Sequence, residues 1–455
     1  MHETQFVDAI TPWLEPNKGP LRAHLTLAIR QAIGSGQLRQ GARLPPERAL
    51  ATALHVSRPT VSAVMDDLRT LGLVTSRQGS GSWVSDTDPV SNSPVPFVEL
   101  LQQTGSIDLA AATAPDASLL PQMRVDTADL LGAEPANGLN PQGLSVLRQR
   151  VAGRMNGSTS ISAGSVSAEN VVMTSGAHQA LALAVAALAP RGSSILVEDT
   201  TYGGLIDMIH ANGCHPIGIE RDADGPLPGC LAELLKLHEP SLVILVTSVH
   251  SPTGAVSSPE RSANLASVLK DTTSHVVLDE TYADLEFTPG ARALVQALGG
   301  SAIRIGTLSK ALWTGLRTGW LIAPADTCRA IVRKRWQQFD LGPSIPSQLF
   351  AAQALEGIDR ALEVRRSSLR ERSDWVTNTI ETNFPQWQPT KVDGGLAMWV
   401  EVPMDGADFV TMATERGVAV LPGSACRADR APTPHIRLCF DRPLDVLEQA
   451  FDRLG

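Results

Sequence analysis

Tyrosine is almost absent from this chain: 455 residues contain two, Tyr202 and Tyr282, and aromatics make up only 4% of the total. Cysteine is also sparse. The five cysteines, at 214, 230, 328, 426 and 439, form no C-x-x-C pair and no metal-ligand spacing. That pattern argues against a disulfide framework and a metal site, and it suits a reducing compartment. No apolar run approaches the ~18 residues that span a bilayer. The first residues, with His2, Glu3 and Asp8, lack a basic stretch followed by an apolar one. These absences predict a cytoplasmic protein with no membrane segment. Nor is there an overall surplus of positive charge. The net charge of -9 argues against a generic polyanion binder.

The charge is unevenly placed. Residues 18–84 hold nine Lys/Arg and three acids (Glu47, Asp66, Asp67), a local charge of +6 that leaves -15 for the rest. A basic head on an acidic body is the asymmetry expected where one domain meets nucleic acid. The length predicts two or three domains, and the 43% hydrophobic content is that of a globular protein.

Residues 1–17 are poorly patterned and read as an arm. From Leu21, apolar residues at helical spacing predict a helix that ends at Gly34 and Gly36. A second helix is expected from Leu44-Pro-Pro-Glu-Arg to about Leu54. A third follows, with Ser57 as N-cap, Pro59 in its first turn and Gly72 at its end. Residues 73–84 read as two short strands about a Gly79-Ser80-Gly81 turn. Helix, turn, helix and hairpin make a winged helix-turn-helix. Its third helix would enter the major groove tip first, with Ser57, Arg58 and Thr60 leading and Arg77 and Gln78 on the wing. Residues 85–105, rich in Ser, Asp and Pro, read as a linker.

From residue 106 short apolar runs alternate with amphipathic stretches. Val171–Met173, Ile195–Val197, Leu242–Val246, Val276–Leu278 and Ile303–Ile305 are the expected strands of an α/β, mostly parallel sheet. A smaller α+β subdomain is expected over 385–455. Ligand groups belong at the strand ends. Gly306-Thr-Leu-Ser-Lys310 follows one strand and offers an amine that can condense with an aldehyde. Asp279 ends another strand, 31 residues upstream, and offers a carboxylate to a ring nitrogen. Arg317, with Thr307 and Ser309, offers cationic and hydroxyl donors to a phosphate. Ser175, Gly176 and Ala177 open an apolar helix whose free N–H groups suit the same phosphate. Tyr202 is placed to stack on the ring, and Tyr282 to donate to its 3-oxygen. Arg437 sits inside an apolar strand, where a guanidinium needs a partner such as a substrate carboxylate.

Two family resemblances stand on these residues. The runs Gly36-x-Leu-x-x-Gly-x-x-Leu-Pro-x-Glu-Arg-x-Leu-Ala51, Val56-Ser-Arg-x-Thr-Val61 and Gly79-Ser-Gly81 resemble the GntR-type winged helix. That resemblance implies DNA contacts at Arg48, Arg58, Thr60 and Gly79. Gly306-Thr-x-Ser-Lys-x-Leu, Pro252-Thr-Gly254, Asp279-x-x-Tyr282, Gly315-Leu-Arg317 and Gly394-Gly-Leu396 resemble the fold type I aminotransferase-like body of MocR-type regulators.

What the second resemblance implies is specific. Pyridoxal 5′-phosphate (PLP) would be held as a Schiff base on Lys310, and Arg437 would take an effector carboxylate. The effector would be a small amine, an amino acid or PLP itself. The working form would be a head-to-tail homodimer on promoter DNA. Two positions depart from the pattern. Gly138 stands where relatives often carry Tyr, and Ser251 where related enzymes have Asn. Both bear on holding PLP or tuning its ring. A working aminotransferase with a DNA-binding head is the main alternative, and a body retained only for dimerisation is a third.

Overall fold

The structure is a computed structural model that describes residues 3–11, 21–34, 37–38, 41–70, 73–77, 81–85, 96–101, 106–113, 117–158, 166–288 and 292–455. It divides into two compact units, Met1–Pro96 and Phe97–Gly455.

The first unit contains α1 (Glu3–Ile10), α2 (Leu21–Gly34), α3 (Glu47–Ala53), α4 (Arg58–Thr70), β1 (Val74–Arg77) and β2 (Gly81–Val84). Part of the expected arm is therefore a helix. Phe6 and Ile10, four apart, share one face of α1, and both are buried in the core with Leu25, Ile29, Leu50 and Leu68. Ser57 caps α4 as expected: the Thr60 N–H donates to its Oγ at 3.2 Å, and the two hydroxyls lie 2.6 Å apart. β1 and β2 pair antiparallel from Val74↔Val84 to Arg77↔Gly81, and Arg43 makes an isolated antiparallel bridge to Trp83.

The second unit opens with α5 (Phe97–Leu100), β3 (Ile107–Asp108), α6 (Thr127–Leu131) and α7 (Ser145–Ser158). Then follow β4 (Val171–Thr174), α8 (Ala177–Leu188), β5 (Ser194–Glu198), α9 (Gly203–Ala211), β6 (His215–Ile219), β7 (Arg221–Asp222), β8 (Gly225–Pro226) and α10 (Pro228–His238). Next come β9 (Leu242–Val246), α11 (Pro259–Leu269), β10 (His275–Asp279), α12 (Ala293–Leu298), β11 (Ile303–Thr307) and β12 (Gly319–Ile322). The chain closes with α13 (Ala325–Gln338), α14 (Ile345–Ala354), α15 (Ile358–Asn383), β13 (Gln388–Pro389), β14 (Ala397–Glu401), α16 (Gly406–Glu415), β15 (Val418–Ala419), β16 (Leu421–Pro422), β17 (His435–Cys439) and α17 (Leu444–Leu454).

Seven strands form the main sheet in the order β4-β12-β11-β10-β9-β5-β6. Every neighbouring pair from β11 to β6 is parallel, and only β12 runs antiparallel to its neighbours. Strands such as β4 and β11 are buried along their whole length, which is why they read as continuous apolar runs. Two strands escape the sequence pattern. β6 holds Pro216 and Gly218, tolerable because it is an edge strand. β12 has four residues and no alternation.

Two expected boundaries move. Phe97 falls inside the expected linker 85–105, yet it is 3% exposed and packs with Trp399 and Tyr202, so that part belongs to the body. The four-stranded sheet β13-β14-β17-β16 carries the expected C-terminal α+β layer, but this layer does not start at 385. Leu362, Leu369 and Val376 of α15 share its core with Phe409, Leu447 and Phe451, and β15 pairs in parallel with β3. An apolar face on a long helix finds its partner by packing, wherever the sequence composition changes. Among the described residues no helix is long and apolar enough to cross a membrane, and no cluster of His, Cys, Asp or Glu could hold a metal.

Candidate functional site: a lysine pocket at the strand ends

Asp279 is the last residue of β10, and Lys310 lies three residues beyond the end of β11, so the sheet brings both to one edge. Lys310 is half-buried, and its Nζ donates to the Ala112 carbonyl at 2.7 Å. Burial pulls its pKa down to about 8, with the positive Arg437 adding to the effect. Asp279 is 7% exposed and has no ion-pair partner among the described residues. Burial raises its pKa, although it accepts the Thr281 N–H at 2.9 Å. Tyr282 places its ring centroid 6.0 Å from Lys310 Nζ, and burial raises the pKa of its hydroxyl, an effect that Ser251 opposes. The serine in place of asparagine thus acts on the tyrosine expected at the ring oxygen.

The groups expected to meet a phosphate converge as well. Gly176, the N-cap of α8, has φ +130°, a conformation that side chains rarely adopt. A Cβ added there would lie 3.8 Å from both terminal nitrogens of Arg317 and 3.9 Å from Ser309 Oγ. The Gly176 and Ala177 N–H groups and the Arg317 guanidinium have no partner among the described residues, so these donors face one another with no acceptor. Ser175 differs: its N–H is taken by Gln179 at 2.8 Å. Thr307 Oγ1 sits 3.0 Å from Ser309 Oγ and donates to the Thr318 carbonyl at 2.8 Å, so it positions Ser309.

Tyr202 is half-buried and stands edge-on to Phe97 (centroids 5.2 Å) and His178 (6.1 Å), with its hydroxyl 3.2 Å from His178 Nδ1. Burial lifts its pKa to about 12. Arg437, 3% exposed in β17, donates through Nη2 to the Ala110 carbonyl, while its Nε is buried and unpaired. Lys310 and Arg437 therefore hang from carbonyls two residues apart on one short segment.

Sequence reading missed a buried cluster beside this pocket. Glu198, at the end of β5, lies 3.2 Å from His250 Nε2 and 3.4 Å from Arg221 Nε, and burial raises its pKa to about 7. His250 Nε2 also faces the Thr200 carbonyl at 3.0 Å, and Nδ1 faces Thr253 Oγ1 at 2.8 Å. Burial holds this histidine neutral, so Nε2 carries the proton and Nδ1 accepts from the threonine. His250 immediately precedes Ser251, and a histidine before Ser-Pro-Thr-Gly was the one available signal. A separate groove of about 790 Å³, lined by Arg150, Arg154 and Asp284 among others, contains none of these residues, and these arginines are ion-paired.

The Lys310 amine predicts a pH dependence of cofactor uptake. An amine attacks an aldehyde only when neutral, and a pKa near 8 leaves about a tenth neutral at pH 7. The rate at which cofactor-free protein turns yellow with PLP is expected to rise about tenfold per pH unit below 8 and to level off above it. Stopped-flow absorbance from pH 6 to 9 checks this; a flat profile overturns the assignment of Lys310.

In the head, Arg48, Ser57 and Arg58 are exposed and Thr60 is half-buried at the tip of α4. All three carboxylates of the head are paired, Asp67 to Arg22, and Asp66 and Glu47 to Arg69. The Arg48 and Arg58 side chains have no such partner among the described residues, so their charge faces outward. Arg77 ends β1, and Gln78 and Gly79 lie outside the described residues, as does the Arg77 side chain.

A mostly parallel α/β sheet with a half-buried lysine, an unpaired carboxylate and an acceptor-free cradle at its strand ends defines a PLP-binding body, here following a winged helix in the chain. Residues 106–454 match the family model for aminotransferase class I and II, and residues 21–84 match that for bacterial regulatory proteins, gntR family. The chain belongs to the class I and II aminotransferase family and carries a GntR-type DNA-binding head. It is 27% identical to the uncharacterized HTH-type transcriptional regulator YisV of Bacillus subtilis over 451 residues, covering 91% of each chain. It is 26% identical to the HTH-type transcriptional regulator TauR of Rhodobacter capsulatus, covering 89% of each. The multiple substrate aminotransferase of Thermococcus profundus shares the fold with a TM-score of 0.68 at 24% identity, over 79% of this chain and 92% of that one. The cofactor is PLP, and the residues present fit it: among the described residues the cradle at Gly176 holds no acceptor, and Asp279 makes no ion pair.

Proposed function

We propose that this protein is a MocR-type transcription regulator whose body senses a small amine, an amino acid or PLP itself, and whose head binds promoter DNA accordingly. The observation that carries the reading is the placement of Lys310 and Arg437 on the Ala112 and Ala110 carbonyls. An amine site and a carboxylate site that close together suit one amino acid.

Bound PLP supplies an aldehyde for amines and a ring that accepts electrons. Lys310 would hold the aldehyde carbon, Asp279 the ring nitrogen, and Tyr282 the ring oxygen, with Tyr202 beside the ring. Gly176, Ala177, Ser309 and Arg317 would hold the phosphate. Arg437 would orient the effector carboxylate in bidentate fashion. Lys310, with its pKa near 8, can release or take a proton at Nζ when an amine arrives. Those parts also belong to a working aminotransferase. Ser251 for Asn and Gly138 for Tyr weigh toward sensing without turnover. The working form is taken to be a cytoplasmic head-to-tail homodimer, whose two heads meet two half-sites at a spacing set by the bodies.

The test uses full-length PLP-loaded protein and the DNA it selects from genomic fragments. An amino acid that changes its visible spectrum is expected to shift DNA affinity by at least tenfold, about 1.4 kcal/mol. Sustained transamination with 2-oxoglutarate or pyruvate at ~1–10³ per second would instead establish the enzyme. Arg58→Ala is expected to weaken selected DNA by ~1–3 kcal/mol. Affinity should also fall steeply with salt, as released counterions require. Unchanged affinity in Arg58→Ala removes that residue from the contacts.

A further inference from the structure

Arg437 is flanked by strands of its own sheet and by groups from outside it, among them the Ala110 carbonyl that takes Nη2 and the ring of Phe97. Trp399 of β14 and Leu421 of β16 stand opposite Arg437 in register, held by strand hydrogen bonds. Phe97, from outside this sheet, places its ring centroid 5.5 Å from the guanidinium carbon. Phe97 sits on the four-residue α5, an element with no ladder to hold it.

The seat of this ring is built. A Cβ on Gly203 would lie 2.3 Å from Phe97 Cδ2, so only glycine admits the ring there. The Phe97 N–H donates to Asp207 Oδ2 at 2.6 Å, and Arg430 holds the other oxygen of Asp207. The ring covers a guanidinium whose Nε is buried without an acceptor. A buried N–H without a partner is costly, and a carboxylate would satisfy it. A carboxylate reaches that buried nitrogen only if a neighbouring group moves, and Phe97 lies on a four-residue element that no strand ladder holds.

We propose that Phe97 is the gate of the carboxylate subsite: a carboxylate that docks on Arg437 displaces the ring and releases α5. This rests on the reading of Arg437 as the carboxylate anchor. Phe97 is the first residue of the body, joined through Pro96 to the segment that leads back to the winged helix. Its release frees the body's first turn, next in the chain to the segment that leads back to the head, and so couples occupancy of the pocket to the head.

Hydrogen–deuterium exchange on full-length PLP-loaded protein tests the gate through the peptide spanning 96–101. The probes are the twenty protein amino acids, β-alanine and the matching primary amines without a carboxylate. An amino acid that changes the visible spectrum is expected to speed exchange of the Phe97 amide at least ~10-fold. An amine that changes the spectrum is expected to leave it unaltered. Phe97→Ala is expected to bind the same amino acid about tenfold more tightly, ~1.4 kcal/mol, and to lose its effect on DNA affinity. Asp207→Asn, which keeps the ring and loosens its anchor, should shift both in the same direction. Unchanged exchange with an amino acid that binds overturns the gate alone, as does weaker binding by Phe97→Ala. If no probe with a carboxylate changes the spectrum, the carboxylate reading of Arg437 fails and the gate fails with it.

Discussion

Borohydride reduction of the PLP-loaded protein is expected to leave one pyridoxyl group on the peptide containing Lys310, and Lys310→Ala is expected to carry none and to be colourless. The physical ground is the amine's environment. Lys310 is half-buried, makes a single hydrogen bond to Ala112, and has its pKa drawn to about 8, so its neutral form is accessible near neutrality. Surface lysines keep a pKa of ~10.4 and are almost wholly protonated there. Labelling should fall from one group per chain to background, the largest change any single substitution in this chain would produce. The variant should remain folded, because burial already disfavours the charge that is removed. Peptide mapping after reduction checks the site: a label on another lysine, or equal labelling of Lys310→Ala, overturns the pocket.

The second large effect is expected at Arg437. Arg437→Gln should weaken an amino-acid ligand by ~2–5 kcal/mol, the cost of truncating one partner of a buried charge pair. That is roughly 30- to 5000-fold in affinity. The matching amine without a carboxylate should bind both proteins alike, since the variant alters only the group that a carboxylate meets. Spectral titration of each protein with each ligand gives the four affinities. Equal losses for acid and amine would mean that Arg437 supports the pocket rather than reads the carboxylate. The guanidinium is suited to the role because its Nη2 is held by Ala110 while its Nε has no acceptor.

The winged helix was legible because its signals are local. Ser57 caps a helix whose own Thr60 N–H it accepts, three residues away. Asp279 and Lys310 were legible for a similar reason: each closes or follows a short apolar run that can only be a buried strand. Arg437 stood out as a charge inside such a run. Each of these follows from residue type and spacing within about ten positions.

The rest depended on contacts that no local pattern carries. Helix α1 has only Phe6 and Ile10 to mark it, and its stability comes from the core they enter. Phe97 looked like one aromatic in a linker until Gly203, Asp207 and Arg437 gave it a seat. Glu198 and His250 are 52 positions apart in the chain and meet only because β5 and β9 are neighbours in the sheet.

By itself, the sequence determined the two-part plan, the strands that lead to Asp279 and to the Gly306–Lys310 run, and the residue types that can hold an aldehyde, a ring nitrogen and a phosphate. Tertiary structure alone decided that the amine and the guanidinium share one short segment. Lys310 reaches Ala112 and Arg437 reaches Ala110 across 198 and 327 positions of chain. Both acceptors are backbone carbonyls of alanines, identical in every residue, so only packing of β17 against the body's first segment could bring them to these two cations.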